Sequence, residues 1–205
     1  MSFSHHLPAK HREASPGPTA FLCLKRGILR LCLVLFLINP VHADSSSIPE
    51  VRALYLYNFS MFIHWPDKAF PTRNSPIRYC VLGGRVLRRT LARLLENETV
   101  KGRPLVLEPL ETPIDASHCH LLYMDDTLAD NEGQLITALE NQPVLTVGAS
   151  RNFPHNGGMI GLVRKGRRIR PLVNMKAVER SGIRISSKLL QLSTLLKDDE
   201  VVKSP

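Results

Sequence analysis

Apolar residues in the segment 51–64, VRALYLYNFSMFIH, recur at helical spacing on more than one side of the helix they predict. Val51, Leu54, Tyr55, Asn58 and Phe62 make one stripe, and Leu56, Phe59 and Ile63 a neighbouring one. Tyr57, Ser60 and His64 are left on a wetter edge. Apolar coverage this broad exceeds what one face of a sheet requires. Phe62 is therefore assigned to the core, and Tyr57, Phe59 and Ile63 to a surface for self-association or for a partner. Pro66 has no amide hydrogen and disfavours helix at Trp65, which predicts that the helix stops there. Asn58, set among apolar neighbours, requires hydrogen-bond partners.

After the turn-rich stretch 71–76, short apolar runs alternate with helical patterns. Segments 77–82, 104–107, 118–124 and 143–147 read as strands, and 86–95 and 127–139 as helices, the first with Leu87, Leu91, Leu94 and Leu95 on one side. This alternation with short connections predicts an α/β fold, a mainly parallel sheet flanked by helices. Segments 159–163 and 168–173 flank the Lys165-Gly166-Arg167 turn and predict a β-hairpin in the C-terminal half. Asn174 caps a short helix at 175–180 that Gly182 ends. Ser186 or Ser187 caps a last helix carrying Leu189, Leu190, Leu192 and Leu195.

The N-terminus changes the compartment. Lys25 and Arg26 precede an apolar run at 31–38, and Val41-His42-Ala43 has the small-residue ending of a signal-peptidase site. Residues 1–43 are read as a signal peptide cut between Ala43 and Asp44, so the protein is expected in the periplasm. A retained membrane anchor would need about 20 apolar residues. Cys32 follows Leu31, where lipid attachment would want a small residue. Removing the first 43 of 205 residues leaves 162, enough for a single domain, 44–205, with a proper core. The chain as a whole carries +9. Five bases (Lys10, Arg12, Lys25, Arg26, Arg30) and Glu13 belong to the leader, which leaves 22 Lys and Arg against 17 Asp and Glu, a net of +5. The remaining bases cluster at Arg164, Lys165, Arg167, Arg168 and Arg170, and at Arg85, Arg88, Arg89 and Arg93. Export excludes nucleic acid as a partner. These patches are solvated surface, or a docking surface for an acidic partner or anionic headgroups.

Candidate chemistry is sparse. With Cys23 and Cys32 lost in the leader, Cys80 and Cys119 remain. An even pair in an oxidising compartment reads as one disulfide, the alternative being two buried thiols. His118-Cys119-His120 offers metal-capable side chains, but on a strand the two histidines face away from the cysteine, so no metal site is assigned. Gly83, Gly84 and Arg85 join a strand to a helix and form a candidate anion site at the helix start. LLYMDD at 121–126 is similar to a phospho-acceptor strand, yet Asp125 and Asp126 read more simply as the acidic start of a helix. Ser150, Ser186, Ser187 and His155 lack any nucleophile elbow. The expectation is a protein without catalytic residues or cofactor.

The stretch LYNFSMFIHWP at 56–66 resembles the opening helix, LYNFAKFxxWP, of the YfiR-like family of small periplasmic proteins. The likeness continues through LENETVKGRPLVLEPL at 95–110, CHLLYM at 119–124, PVLTVG at 143–148, GGMIGLV at 157–163 and RISSKLL at 184–190. The resemblance implies a non-enzymatic regulator that binds the periplasmic domain of an inner-membrane diguanylate cyclase and represses it, limiting cyclic-di-GMP and biofilm formation. It also implies a homodimer and redox-responsive disulfides, with Cys80 and Cys119 matching the family's more N-terminal pair. The second pair, expected within 154–161, is replaced by residues such as Pro154 and Gly161. The alternative is a periplasmic small-ligand sensor acting on another signalling protein or a transporter. No attached transmembrane or output segment is expected, which would favour action in trans.

Overall fold

The computed structural model describes residues 47–110, 113–166 and 168–197. The signal peptide read over 1–43 and Arg167 of the turn read from the sequence lie outside the described residues. Helix α1 (Ile48–Phe62) starts where the Glu50 carboxylate accepts the Ser47 amide at 2.8 Å, with Pro49 in the first turn. Its inward stripe is Ala53, Leu56, Phe59 and Ser60, spaced three and four apart. The helix ends before Trp65 because Ile63 and His64 turn extended as β1 (Ile63–His64), pairing antiparallel with β9 (Arg184–Ile185). Phe59 and Ile63 are each 1% exposed, so these two expected contact residues belong to the core. Tyr57 is half-buried, its hydroxyl donating to Glu98, and Phe62 is half-buried rather than central. The outward side instead presents Leu54, 49% exposed, and Met61, 41% exposed. Apolar content alone does not say which stripe meets the sheet when two stripes are apolar.

The main sheet is assembled from β2 (Ile77–Leu82), β3 (Thr99–Val100), β4 (Arg103–Glu108), β5 (Leu121–Met124), β6 (Leu145–Gly148), β7 (Ile160–Lys165), β8 (Arg168–Val173) and β10 (Thr194–Leu195), in the order β10-β8-β7-β6-β5-β2-β4-β3. Strands β4, β2, β5, β6 and β7 run parallel, β7 and β8 form the antiparallel hairpin, and β3 lies antiparallel to β4. Side chains alternate between two buried faces, as a covered parallel sheet requires. Ile77, Tyr79, Val81, Leu121 and Tyr123 point to one cluster, with α1, α2 (Arg85–Leu95) and α5 (Met175–Ser181) over it. Cys80, Leu82, Leu122 and Met124 point to the other, covered by α3 (Glu132–Ala138) and α4 (Asn152–His155). There Phe153 packs on the bare backbones of Gly148 and Gly158, where no side chain would fit.

Three segments depart from the periodicity. Residues 113–118 form a 3-10 turn, so the strand read over 118–124 begins only at Leu121. Asp125 accepts the Thr127 amide and Leu128 leaves helical geometry, which splits 127–139 into a 3-10 turn and α3. The last helix, α6 (Ser187–Gln191), stops early because β8 offers an open edge. Thr194 and Leu195 pair with Leu172 and Val173, and the Leu196 amide donates to Val173 at 2.8 Å. Among the described residues no helix is long and apolar enough to cross a membrane.

Candidate functional site

Cys80 on β2 and Cys119 just before β5 are joined in a disulfide, with Cα atoms 6.0 Å apart. Strand register sets Cys80 opposite Leu122, not Cys119. The bridge is diagonal, made possible because the chain turns at 116–119, where the Cys119 amide donates to Ala116 at 3.1 Å. Both sulfurs lie in the second core cluster, Cys80 fully buried and Cys119 3% exposed. His118, on the turn itself, is exposed and brings Nε2 to 3.9 Å from the Cys119 sulfur.

His120, read from the sequence as a strand residue facing the same way as His118, is buried whereas His118 is exposed. The Arg78 amide donates to its Nδ1 at 3.1 Å, so Nε2 carries the hydrogen and donates to the Ala69 carbonyl at 3.0 Å. Burial holds its pKa below the ordinary value, and both bonds fit the neutral ring. The ring stacks on Phe70 at 4.4 Å, Arg103 covers the other side of Phe70 at 3.7 Å, and the Trp65 indole donates to the His120 carbonyl at 2.9 Å. Trp65 thus ties the chain after α1 to the residue that leads into β5. Beside this tie is a cleft of about 250 Å³ lined by Trp65, Phe70, Lys101, Arg103 and Arg184.

Chain direction across the sheet reverses between β2 and β5, since β4 lies on one side of β2 and β5 on the other. Ligands of open α/β sheets favour the carboxyl ends of strands at such a point. Here the chain fills the place itself. Arg52 of α1 donates to the Ala149 carbonyl at 3.0 Å and to the Tyr123 hydroxyl at 3.5 Å, and that hydroxyl donates to Asp125 at 3.4 Å. Burial raises the Tyr123 pKa, which keeps the phenol protonated as this donor. Gly83 and Gly84, both at positive φ, sit against the Asp125 side chain, whose Oδ2 is 3.1 Å from the point a Gly84 Cβ would occupy. A carboxylate beside Gly83 and Gly84 opposes a second anion at the site read there with Arg85.

The hairpin bases do gather, with help from elsewhere. Val163 pairs with Arg170 and Lys165 with Arg168, so Lys165 and Arg170 share a face, while Arg164 folds back onto the Gly166 carbonyl. With Arg151 after β6 and Lys197 after β10 they line a cleft of about 270 Å³, floored by Val163, Pro171, Leu172 and Leu195. Among the described residues, four cations and no acid line it. Arg151 and Lys197 were not anticipated, because nothing local in the sequence links them to the hairpin. Arg52 carried a signal, a lone cation on an apolar helix.

No curated protein matches this chain. Among solved structures it is similar to a conserved domain protein from Vibrio cholerae, with 16% identity and a TM-score of 0.46, over 74% of this chain and 60% of that one. It is also similar to the ABC domain in complex with L-Trp from Streptococcus pneumonia, with 9% identity and a TM-score of 0.49, over 70% of this chain and 60% of that one. The chain thus spans less than two thirds of either structure, and at these scores neither informs function. Residues 49–194, from the second residue of α1 to the first of β10, match the family described as YfiR/HmsC-like, so the chain belongs to that family.

Proposed function

We propose that this protein is a non-enzymatic periplasmic regulator that binds the periplasmic domain of an inner-membrane diguanylate cyclase and holds the enzyme inactive, restraining cyclic-di-GMP and biofilm growth. The observation that carries this reading is the family match over 49–194. The cleft that gathers Arg151, Lys165, Arg170 and Lys197 is the surface assigned to the partner, by complementarity with an acidic segment. Repression follows if the regulator binds the inactive state of the cyclase more tightly than the active one, and its release is the switch. Self-association is assigned to the outward side of α1, at Leu54, Tyr57 and Met61.

Deleting the gene should raise cellular cyclic-di-GMP, and the wild-type gene should restore it. The pair Lys165→Glu and Arg170→Glu should stay folded, co-purify with less cyclase and fail to restore repression. Unchanged cyclic-di-GMP on deletion would remove the cyclase reading. Repression intact in the charge-reversed pair would move the contact elsewhere. The second reading, a small-ligand sensor, is favoured by the cleft beside Trp65 and Phe70 with Lys101, Arg103 and Arg184 on its walls. Ligand-dependent protection of that cleft from hydrogen exchange, with cyclic-di-GMP indifferent to deletion, would favour it.

A further inference from the structure

The donor atoms of Cys80, Cys119 and His118 all lie within 4.8 Å of one another. A tetrahedral zinc holds sulfur at about 2.3 Å and imidazole nitrogen at about 2.0–2.1 Å, so neighbouring donors sit roughly 3.5–3.8 Å apart. We propose that reducing the Cys80–Cys119 bridge turns it into a site for a thiophilic cation of the Zn²⁺ type, ligated by both thiolates and the His118 imidazole, with solvent as the fourth ligand.

Sequence adjacency points to His118, Cys119 and His120, which cannot converge. The fold takes His120 away to Ala69 and Arg78 and supplies Cys80 from the neighbouring strand instead. His118 stands on a 3-10 turn rather than in the strand, so strand alternation does not separate it from Cys119. Exposure leaves its ring free to swing toward the sulfurs and gives the cation a path from solvent. Charge also favours the pairing. Two thiolates cancel a divalent cation, so the site is neutral where it meets the apolar neighbours Leu122 and Met124.

The chemistry runs in two separate steps. A dithiol gives two electrons and two protons to the bridge, becoming a disulfide itself while the Sγ–Sγ bond breaks into two thiols. The cation then displaces two thiol protons to water, with no further electron transfer. Bridge and metal are mutually exclusive, and both tie β2 to the turn before β5. Reduction in the presence of metal would therefore exchange one brace for another rather than cut it.

The test uses protein purified from the periplasm and reduced with a water-soluble phosphine, which takes oxygen from water as the bridge opens. After anaerobic removal of the reagent, Co²⁺ is titrated as the spectroscopic probe and Zn²⁺ as its competitor. One equivalent of Co²⁺ should give thiolate charge-transfer absorption and tetrahedral d–d bands that Zn²⁺ abolishes, and Zn²⁺ should raise the melting temperature of the reduced protein. Oxidised protein should give neither effect. His118→Ala, an exposed change that leaves the core intact, should weaken binding by more than about tenfold. Cys80→Ser should eliminate it. Absence of the charge-transfer band in folded, reduced protein would overturn the proposal, as would His118→Ala binding with unchanged affinity.

Discussion

Opening the Cys80–Cys119 bridge should cost a large part of the protein's margin against unfolding, which for a domain is about 5–15 kcal/mol. The two cysteines are separated by 39 positions, and on the chain-entropy model a loop of that length restricts the unfolded chain by about 13 cal/mol/K, or about 4 kcal/mol at room temperature. Both sulfurs are buried and reduced thiols pack in nearly the same space, so little is recovered in the folded state. For a domain of this size each kcal/mol moves the melting temperature by about 2–4 °C, giving a fall of roughly 8–16 °C. The assay is thermal unfolding followed by circular dichroism, with and without phosphine, in a chelator that keeps metal from the thiols. Replacing both cysteines by alanine supplies the control, and that variant should lose no further stability when phosphine is added. Oxidised and reduced protein melting within about 2 °C of each other would refute the entropic account, whose upper-end estimate is about 4 kcal/mol.

The two sides of α1 should separate cleanly. Leu54→Glu, on the outward side, should change stability by less than about 0.5 kcal/mol and reduce the mass seen in sedimentation, whereas Phe59→Ala should cost about 3–5 kcal/mol in urea unfolding. Equal destabilisation by both would mean the helix lies otherwise. Because burial lowers the folded-state pKa of His120, its stabilisation is complete above the unfolded value of about 6.5. It should be lost as pH falls from there through the depressed folded-state value, as the unfolded chain gains a proton that the folded one refuses. His120→Gln should flatten that part of the stability curve measured by denaturant titration, and an unchanged slope would remove His120 as its source.

Much of the sheet was legible because its strands are buried on both faces and so stand out as short apolar runs. The segment read at 77–82 matches β2 from end to end for this reason. The C-terminus was not legible in the same way. Leu189, Leu190, Leu192 and Leu195 keep helical spacing, but the unpaired edge of β8 captures Thr194 and Leu195, and Leu192 is left 65% exposed. Local preference yields there to backbone pairing that only the assembled sheet provides. The site followed the same division. Two cysteines in an exported chain suggest a bridge by their number, while the cleft joining Arg151 and Lys197 to Lys165 and Arg170 depends on strand order. Asn58, set among apolar neighbours in the sequence, is half-buried rather than buried.

The first helix is sewn to the last third of the chain. Tyr55 donates to the Ile169 carbonyl, Arg52 reaches Ala149, and Ile63 pairs with Ile185. A chain that emerges N-terminus first can pack the opening apolar segment on α2 and β2 early, but its seat is completed only after residue 185 has appeared. Loop closure over such separations is slow, and an apolar helix waiting that long is a target for aggregation and for proteases. In the proposed periplasmic role, the same delay would keep the polypeptide unfolded while it threads a translocation channel. Holdase chaperones on either side of the membrane would then find their binding site in the segment that later becomes α1.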